Sequence, residues 1–251
     1  MQAPKTSFLS VDSTRLWRAL LSVALAGLLL SLPIGSAAQD DSTPDATVAG
    51  VLGDAVATDS CNLDDYAAAP DGTVALYRIV SDESEVRYLA EEELASIGAT
   101  TAVGSTSAFI GQIGLDESGV PLICSRFDAD LRTLTSDESM RDNYLYNNTL
   151  ETGTYPLATF ILTDVEGIDV ALVDGEETEV TLIGNLTIHG VTKLVAWAGT
   201  VTLSGDTLTG SAEMSFQVED FGMEEPQSRM VVSIDDTITL QVDIVAQLSE
   251  G

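Results

Sequence analysis

The stretch Glu179–Thr202, EVTLIGNLTIHGVTKLVAWAGTVT, restricts the fold more than any other part of the chain. It reads as two long strands folded back on each other at His189–Gly190. In the first arm Leu182, Leu186 and Ile188 share one face, with Gly184 leaving a gap in the row. Thr181, Asn185, Thr187 and His189 fall mainly on the other face, which also carries Ile183. After the turn Val195, Trp197 and Val201 recur at period two, with Gly199 between them. Such alternation, rich in β-branched and aromatic residues, marks strands with one buried face. A glycine inside each apolar row predicts sharp curvature or a close approach to the backbone. Beside Phe160 and Trp197, Gly184 and Gly199 are expected to thin the wall and leave room for a slender guest.

The rest of the domain reads as further strands around this hairpin. Val74–Val80, Glu85–Glu92, Ala102–Leu115, Leu122–Leu131, Ala158–Val165, Thr207–Val218 and Thr237–Leu248 all carry extended patterns, although Ala90–Leu94 also has helical propensity. Thr135-Ser136-Asp137-Glu138 has the spacing of a capping box and predicts one helix running to about Leu145. An all-β fold follows, and about eight antiparallel strands with short turns and one short helix favour a closed β-barrel over a sandwich, spanning residues 72–251. Strands of this length enclose more volume than their own side chains readily fill.

Residues 1–38 read as a signal peptide. Arg15 and Arg18 precede an uncharged run, Ala19–Leu32 is too short to span a bilayer comfortably, and Ser36-Ala37-Ala38 supplies small residues at a cleavage site. Residues 39–71, rich in Asp, Ala, Thr and Pro, read as a disordered acidic spacer. The chain carries 10 Lys and Arg against 40 Asp and Glu, a formal net charge of −30. So much negative charge repels nucleic acid and anionic membrane surfaces, so no nucleic-acid partner is expected. The only two cysteines, Cys61 and Cys124, favour a disulfide in an exported chain, with two unpaired thiols as the alternative.

Catalytic patterns are missing. One histidine cannot build a polyhistidine metal site, and the cysteines lack zinc-ligand spacing, so no metal is expected. There is no GxSxG elbow beside His189 and no glycine-rich phosphate loop. His189 at a strand end reads as a turn residue. The expectation is a binding protein, not an enzyme, without a cofactor.

Leu186-Thr187-Ile188-His189-Gly190-Val191-Thr192-Lys193 closely resembles the LTIHGVTK signature of the YceI-like family, lipocalin-like polyisoprenoid-binding proteins of bacterial envelopes. Ser139-Met140-Arg141-Asp142, Tyr155-Pro156 with Phe160, Asp220-Phe221-Gly222 and Ser233-Ile234-Asp235-Asp236 resemble further family landmarks in the same order. The resemblance covers about Thr73–Gln247. The chain departs from the family pattern at Asn143-Tyr144-Leu145, at Thr149-Leu150 where paired phenylalanines are common, and at Val218 where arginine is common.

The resemblance implies extracytoplasmic binding, storage or transport of an apolar polyisoprenoid-type lipid, such as a quinone or polyprenyl chain, in the lumen. The inward residues compatible with this are Phe109, Phe127, Phe160, Leu182, Leu186, Ile188, Trp197 and Phe216. The alternative is a surface-displayed protein- or glycan-binding module whose same residues form a solid core. Export makes a specific expectation: mature protein begins at Gln39 and lies outside the cytoplasm, in the periplasm, at the cell surface or secreted. N-terminal sequencing of fractionated cells checks it, and an intact leader in a membrane fraction would replace it with an anchor.

Overall fold

The computed structural model of the protein describes residues 49–62, 68–94, 98–224 and 231–249. The expected signal peptide and the first part of the spacer lie outside them. Among the described residues twelve strands form one sheet. They are β1 (Gly50–Asp54), β2 (Ala75–Ile79), β3 (Glu85–Leu94), β4 (Gly98–Thr106), β5 (Phe109–Leu115), β6 (Arg126–Asp130), β7 (Thr135–Ser136), β8 (Leu157–Glu166), β9 (Glu177–Ile188), β10 (Val191–Ser204), β11 (Thr207–Gln217) and β12 (Val231–Leu248). The hairpin read from sequence is β9–β10, paired in register from Ile188↔Val191 to Glu177↔Thr202. His189 and Gly190 turn the chain with φ of 52° and 74°, the left-handed pair that matches the twist of a two-residue hairpin.

Pairing continues from β10 to β11, from β11 to β12, from β12 to β2, and through β5, β6 and β8 back to β9. The ladder therefore runs in a ring, and each ring strand has a neighbour on both edges. The nine extended stretches read from the sequence, an expected barrel of about eight strands, become twelve strands for local reasons. The stretch Ala102–Leu115 is broken at Ser107–Ala108 into β4 and β5, and the short strands β1 and β7 were not expected.

The break in Ala102–Leu115 belongs to a crease. Ser81–Glu83 separates β2 from β3 as a 3-10 turn, and Leu131–Thr133 separates β6 from β7 in the same way. On one side of the crease β2, β5 and β6 pair within the ring. On the other, β3, β4 and β7 form a panel attached to β12. Hydroxyls occupy the fold line: Ser81 Oγ donates to Phe109 O at 2.7 Å, and Thr106 and Thr133 share a bond of 2.6 Å. Ser84 Oγ accepts from Val245 N at 3.0 Å, replacing a ladder bond where β12 passes from one partner to the next.

The helix departs from expectation. Thr135 and Ser136 form β7, which pairs with β4, and α1 (Ser139–Tyr144) starts at Glu138, whose carboxylate accepts from Met140 N. Tertiary pairing thus takes Thr135 and Ser136, and the cap falls to Glu138 instead. The chain then continues as a π-helical turn over Leu145–Thr149, closed by Leu150 N donating to Leu145 O at 2.8 Å.

The spacer expectation is corrected between residues 49 and 62. β11 pairs with β10 only from Ala198 onward, which leaves Lys193–Ala196 without a partner on that edge. β1 supplies it, pairing Gly50↔Ala196 through Asp54↔Lys193, because an unpaired strand edge costs hydrogen bonds. The chain then crosses the outer face of the hairpin. Val56 N donates to Asn185 Oδ1 at 3.0 Å, and Asn185 Nδ2 donates to Val56 O at 2.7 Å. Cys61 and Cys124 form a disulfide with Cα atoms 5.4 Å apart. Polar composition predicted disorder because it measures apolar burial, whereas this segment is held by backbone pairing and a covalent bond.

The glycine expectation is also corrected. A Cβ on Gly184 would stand 2.6 Å from Phe160 Cζ and 2.3 Å from Ile161 O, and one on Gly199 would stand 2.1 Å from Ser211 O. Neither gap is free for a guest. Gly184 receives the Phe160 ring, and Gly199 lets the β11 backbone close against β10. A Gly199→Ala substitution should therefore destabilise by about 1–3 kcal/mol, as overpacking does, measured by denaturant unfolding against the neighbouring Thr200→Ala. Asn185→Ala should cost ~1–3 kcal/mol by orphaning the Val56 backbone, and hydrogen exchange should accelerate across Gly50–Asp54 while the rest of β10 keeps its protection.

Candidate ligand-binding cavity

Two adjoining compartments lie among these strands. The wide one, of about 670 Å³, sits between the panel and the helical segment. The narrow one, of about 100 Å³, runs on into the β9–β10 side. They share Val86, Ala129, Ala158, Ile188 and Leu240 as walls. Ala129 and Ala158 pair across β6 and β8, so small side chains stand at the boundary that the compartments share.

The structure brings all eight sequence-selected residues to these walls. Phe109, Phe127, Phe160, Leu182, Leu186 and Trp197 line the narrow compartment, Phe216 lines the wide one, and Ile188 lines both. Four aromatic rings make a chain: Phe109 to Phe127 and Phe127 to Phe160 at centroid separations of 6.2 Å, then Phe160 to Trp197 at 6.1 Å. These rings largely fill their end, so most of them act as packed core and only a thin channel is left.

Most of the space is bounded by residues that the sequence reading passed over. Small side chains on the panel, Ala90 and Ala102, open the wide compartment on one side. Leu131, Leu134, Leu145 and Leu150 bring apolar surface from the turns and the helical segment, and Met140, 60% exposed, stands at its edge. The signal for this wall was present in the helix-prone Ser139–Leu145, but its amphipathic pattern is too short to show which face looks inward.

Polar groups are few and unevenly placed. Arg141 Nη2 donates to Glu92 Oε1 at 2.8 Å and Nη1 to Asp137 Oδ1 at 2.7 Å, with Glu92 buried. Burial alone would lower the Arg141 guanidinium, but the bond to Asp137 and the Glu92 charge hold it above its usual value. Tyr88 lies flat over Gly104, where a Cβ would come within 2.3 Å of its ring. Burial pushes the Tyr88 phenol up to about 12, against the opposing influence of Arg141. Its Oη, close to Ser136, makes no hydrogen bond of acceptable geometry; Thr149 Oγ1 and Trp197 Nε1 are likewise buried without a partner among the described residues. His189 stays outside the cavity, edge-on to Tyr155 at 4.8 Å, with Nε2 3.2 Å from Glu151 Oε2. Among the described residues no group of three or more His, Cys, Asp or Glu is placed to hold a metal ion.

Several known proteins share this sequence pattern and fold. The chain is 27% identical over 154 residues to UPF0312 protein ECA1782 of Pectobacterium atrosepticum, spanning 61% of this chain and 75% of that protein. It is 28% identical over 124 residues to Protein YceI of Escherichia coli O157:H7, spanning 49% of this chain and 61% of the relative. Burkholderia cenocepacia BcnA has the same fold at a TM-score of 0.53 and 17% identity, over 67% of this chain and 99% of that one. A polyisoprenoid binding domain from Saccharophagus degradans, implicated in plant cell wall breakdown, matches at a TM-score of 0.54 and 15% identity, over 69% and 98%. The model of the YceI-like domain matches residues 77–246, and with most of its length so matched this chain belongs to the YceI-like family.

Proposed function

We propose that the protein holds an apolar polyisoprenoid-type lipid, such as a quinone or polyprenyl chain, inside a closed barrel outside the cytoplasm. The observation that carries this reading is the cavity of about 670 Å³ with a mainly apolar wall, a volume typical of small-molecule sites. Membership of the YceI-like family and likeness to a polyisoprenoid binding domain point the same way. Binding energy is ample: at ~0.8 kcal/mol per buried methylene, a tail of twenty carbons contributes about 16 kcal/mol gross, against an association cost of about 4–15 kcal/mol. Storage or carriage of the lipid is then the task, without catalysis. Residues 1–38 serve as the export signal in this reading, and the residues between Gln39 and β1 as a short acidic spacer.

Organic extraction of natively purified protein should yield a stoichiometric apolar lipid. Ala158→Phe, which puts a ring at the boundary shared by both compartments, should abolish that yield and leave the melting temperature within a few degrees of wild type. Wild-type protein without extractable lipid, together with marked destabilisation of Ala158→Phe, would mean a solid core and favour the surface-module alternative.

A further inference from the structure

The panel ends in an open strand edge. β4 pairs along its whole length with β3, from Leu94↔Gly98 to Val86↔Thr106. Its other edge is met only at Gly104 and Ser105, by the two residues of β7. Among the described residues no further strand or loop backbone bonds to residues 98–103, so their free edge is left to solvent. Exposed edges are normally blunted by charged side chains or proline. Residues 98–103 read Gly-Ala-Thr-Thr-Ala-Val and carry neither.

The outer face beside this edge is acidic. Ala99, Thr101 and Val103 are exposed, in alternation with Ala102, which lines the wide compartment. Across the β3 ladder Glu93 stands opposite Ala99 and Glu91 opposite Thr101, both exposed. Thr101 Oγ1 donates to Glu91 Oε1 at 2.7 Å. Glu92 between them is bonded to Arg141, whereas Glu91 and Glu93 have no cationic partner among the described residues. A second copy of the chain, with formal charge −30, would bring like charge to this face. A strand added to β4 would lie two strand spacings, ~10 Å, from β3. The small side chains of Ala99 and Thr101 leave that span open, and a lysine and a glutamate cover it between them.

We propose that the free edge of β4 receives an extended basic segment of another protein as an added strand. The segment pairs antiparallel with residues 98–103, continuing the row that β7 begins. Its lysines or arginines, at alternate positions on the outer face, meet Glu91 and Glu93. Backbone bonds supply the affinity and the carboxylates the selectivity, as in other strand-addition sites.

The test uses full-length protein and three fluorescein-labelled peptides, followed by anisotropy and by amide hydrogen exchange. They are TKVKTKVT, its acidic counterpart TEVETEVT, and a fully N-methylated TKVKTKVT that keeps the charge but cannot donate to the edge. TKVKTKVT should bind and slow exchange at residues 98–103. The N-methylated peptide should bind about tenfold more weakly or worse, having lost several hydrogen bonds, and the acidic one should not bind. Glu91→Gln with Glu93→Gln should weaken TKVKTKVT about fivefold, as the loss of two exposed ion pairs implies. The exchange measurement needs no variant and decides the matter should that one fail to fold. The proposal falls if TKVKTKVT does not bind, if it leaves residues 98–103 unprotected, or if the N-methylated or acidic peptide binds as well. It falls too if the protein alone dimerises with residues 98–103 protected, since the edge then belongs to a second copy. The lipid-binding reading stands whichever result is found.

Discussion

Backbone hydrogen bonding is the constraint on which this molecule depends. A sheet strand exposes donors and acceptors on both edges, and each must be met. Here the demand is satisfied by bringing β11 against both β10 and β12, so the ladder returns on itself. Where that ring is imperfect, the repairs are specific. β1 fills the edge of β10 that β11 leaves, and the Ser84 hydroxyl answers Val245 where β12 changes partners. The interior space exists because the walls are fixed by these bonds before side chains decide how much of it to fill.

Side chains then divide the interior into two. At one end, the rings of Phe109, Phe127, Phe160 and Trp197 consume most of the room. At the other, alanines on the panel and the short helical segment leave a chamber. The polar groups cluster at the roomy end, except for Trp197 Nε1. A narrow apolar compartment thus adjoins a roomier one whose wall also carries the Arg141 and Arg87 ion pairs.

Much of this was legible from the residues. The β9–β10 hairpin, its turn and its inward face follow from period two and from the His189–Gly190 pair, because one side buried and one side exposed leaves a regular trace. The eight inward residues were found for the same reason, although their role as packing or lining depends on distances that periodicity does not encode. β1 was invisible: Gly50–Asp54 is held through backbone bonds to β10, and such bonds leave no pattern in side-chain type. Thr149 was noticed only as a departure from the family pattern. Its buried, unpartnered hydroxyl depends on a π-helical turn, which has no sequence signature of its own. Gly184 and Gly199 were read as room for a guest, when each accommodates a neighbour already in the protein.

The crease at Ser81, Ser107–Ala108 and Leu131–Thr133 separates two traits that are often entangled in small binding proteins. Ring strands on one side carry the continuous ladder. Panel and helical turns on the other side shape the chamber, and side-chain hydroxyls join the halves. Substitutions in the panel therefore change the shape of the chamber while leaving the ring's ladder in place. Within one scaffold, selectivity is free to diversify faster than architecture.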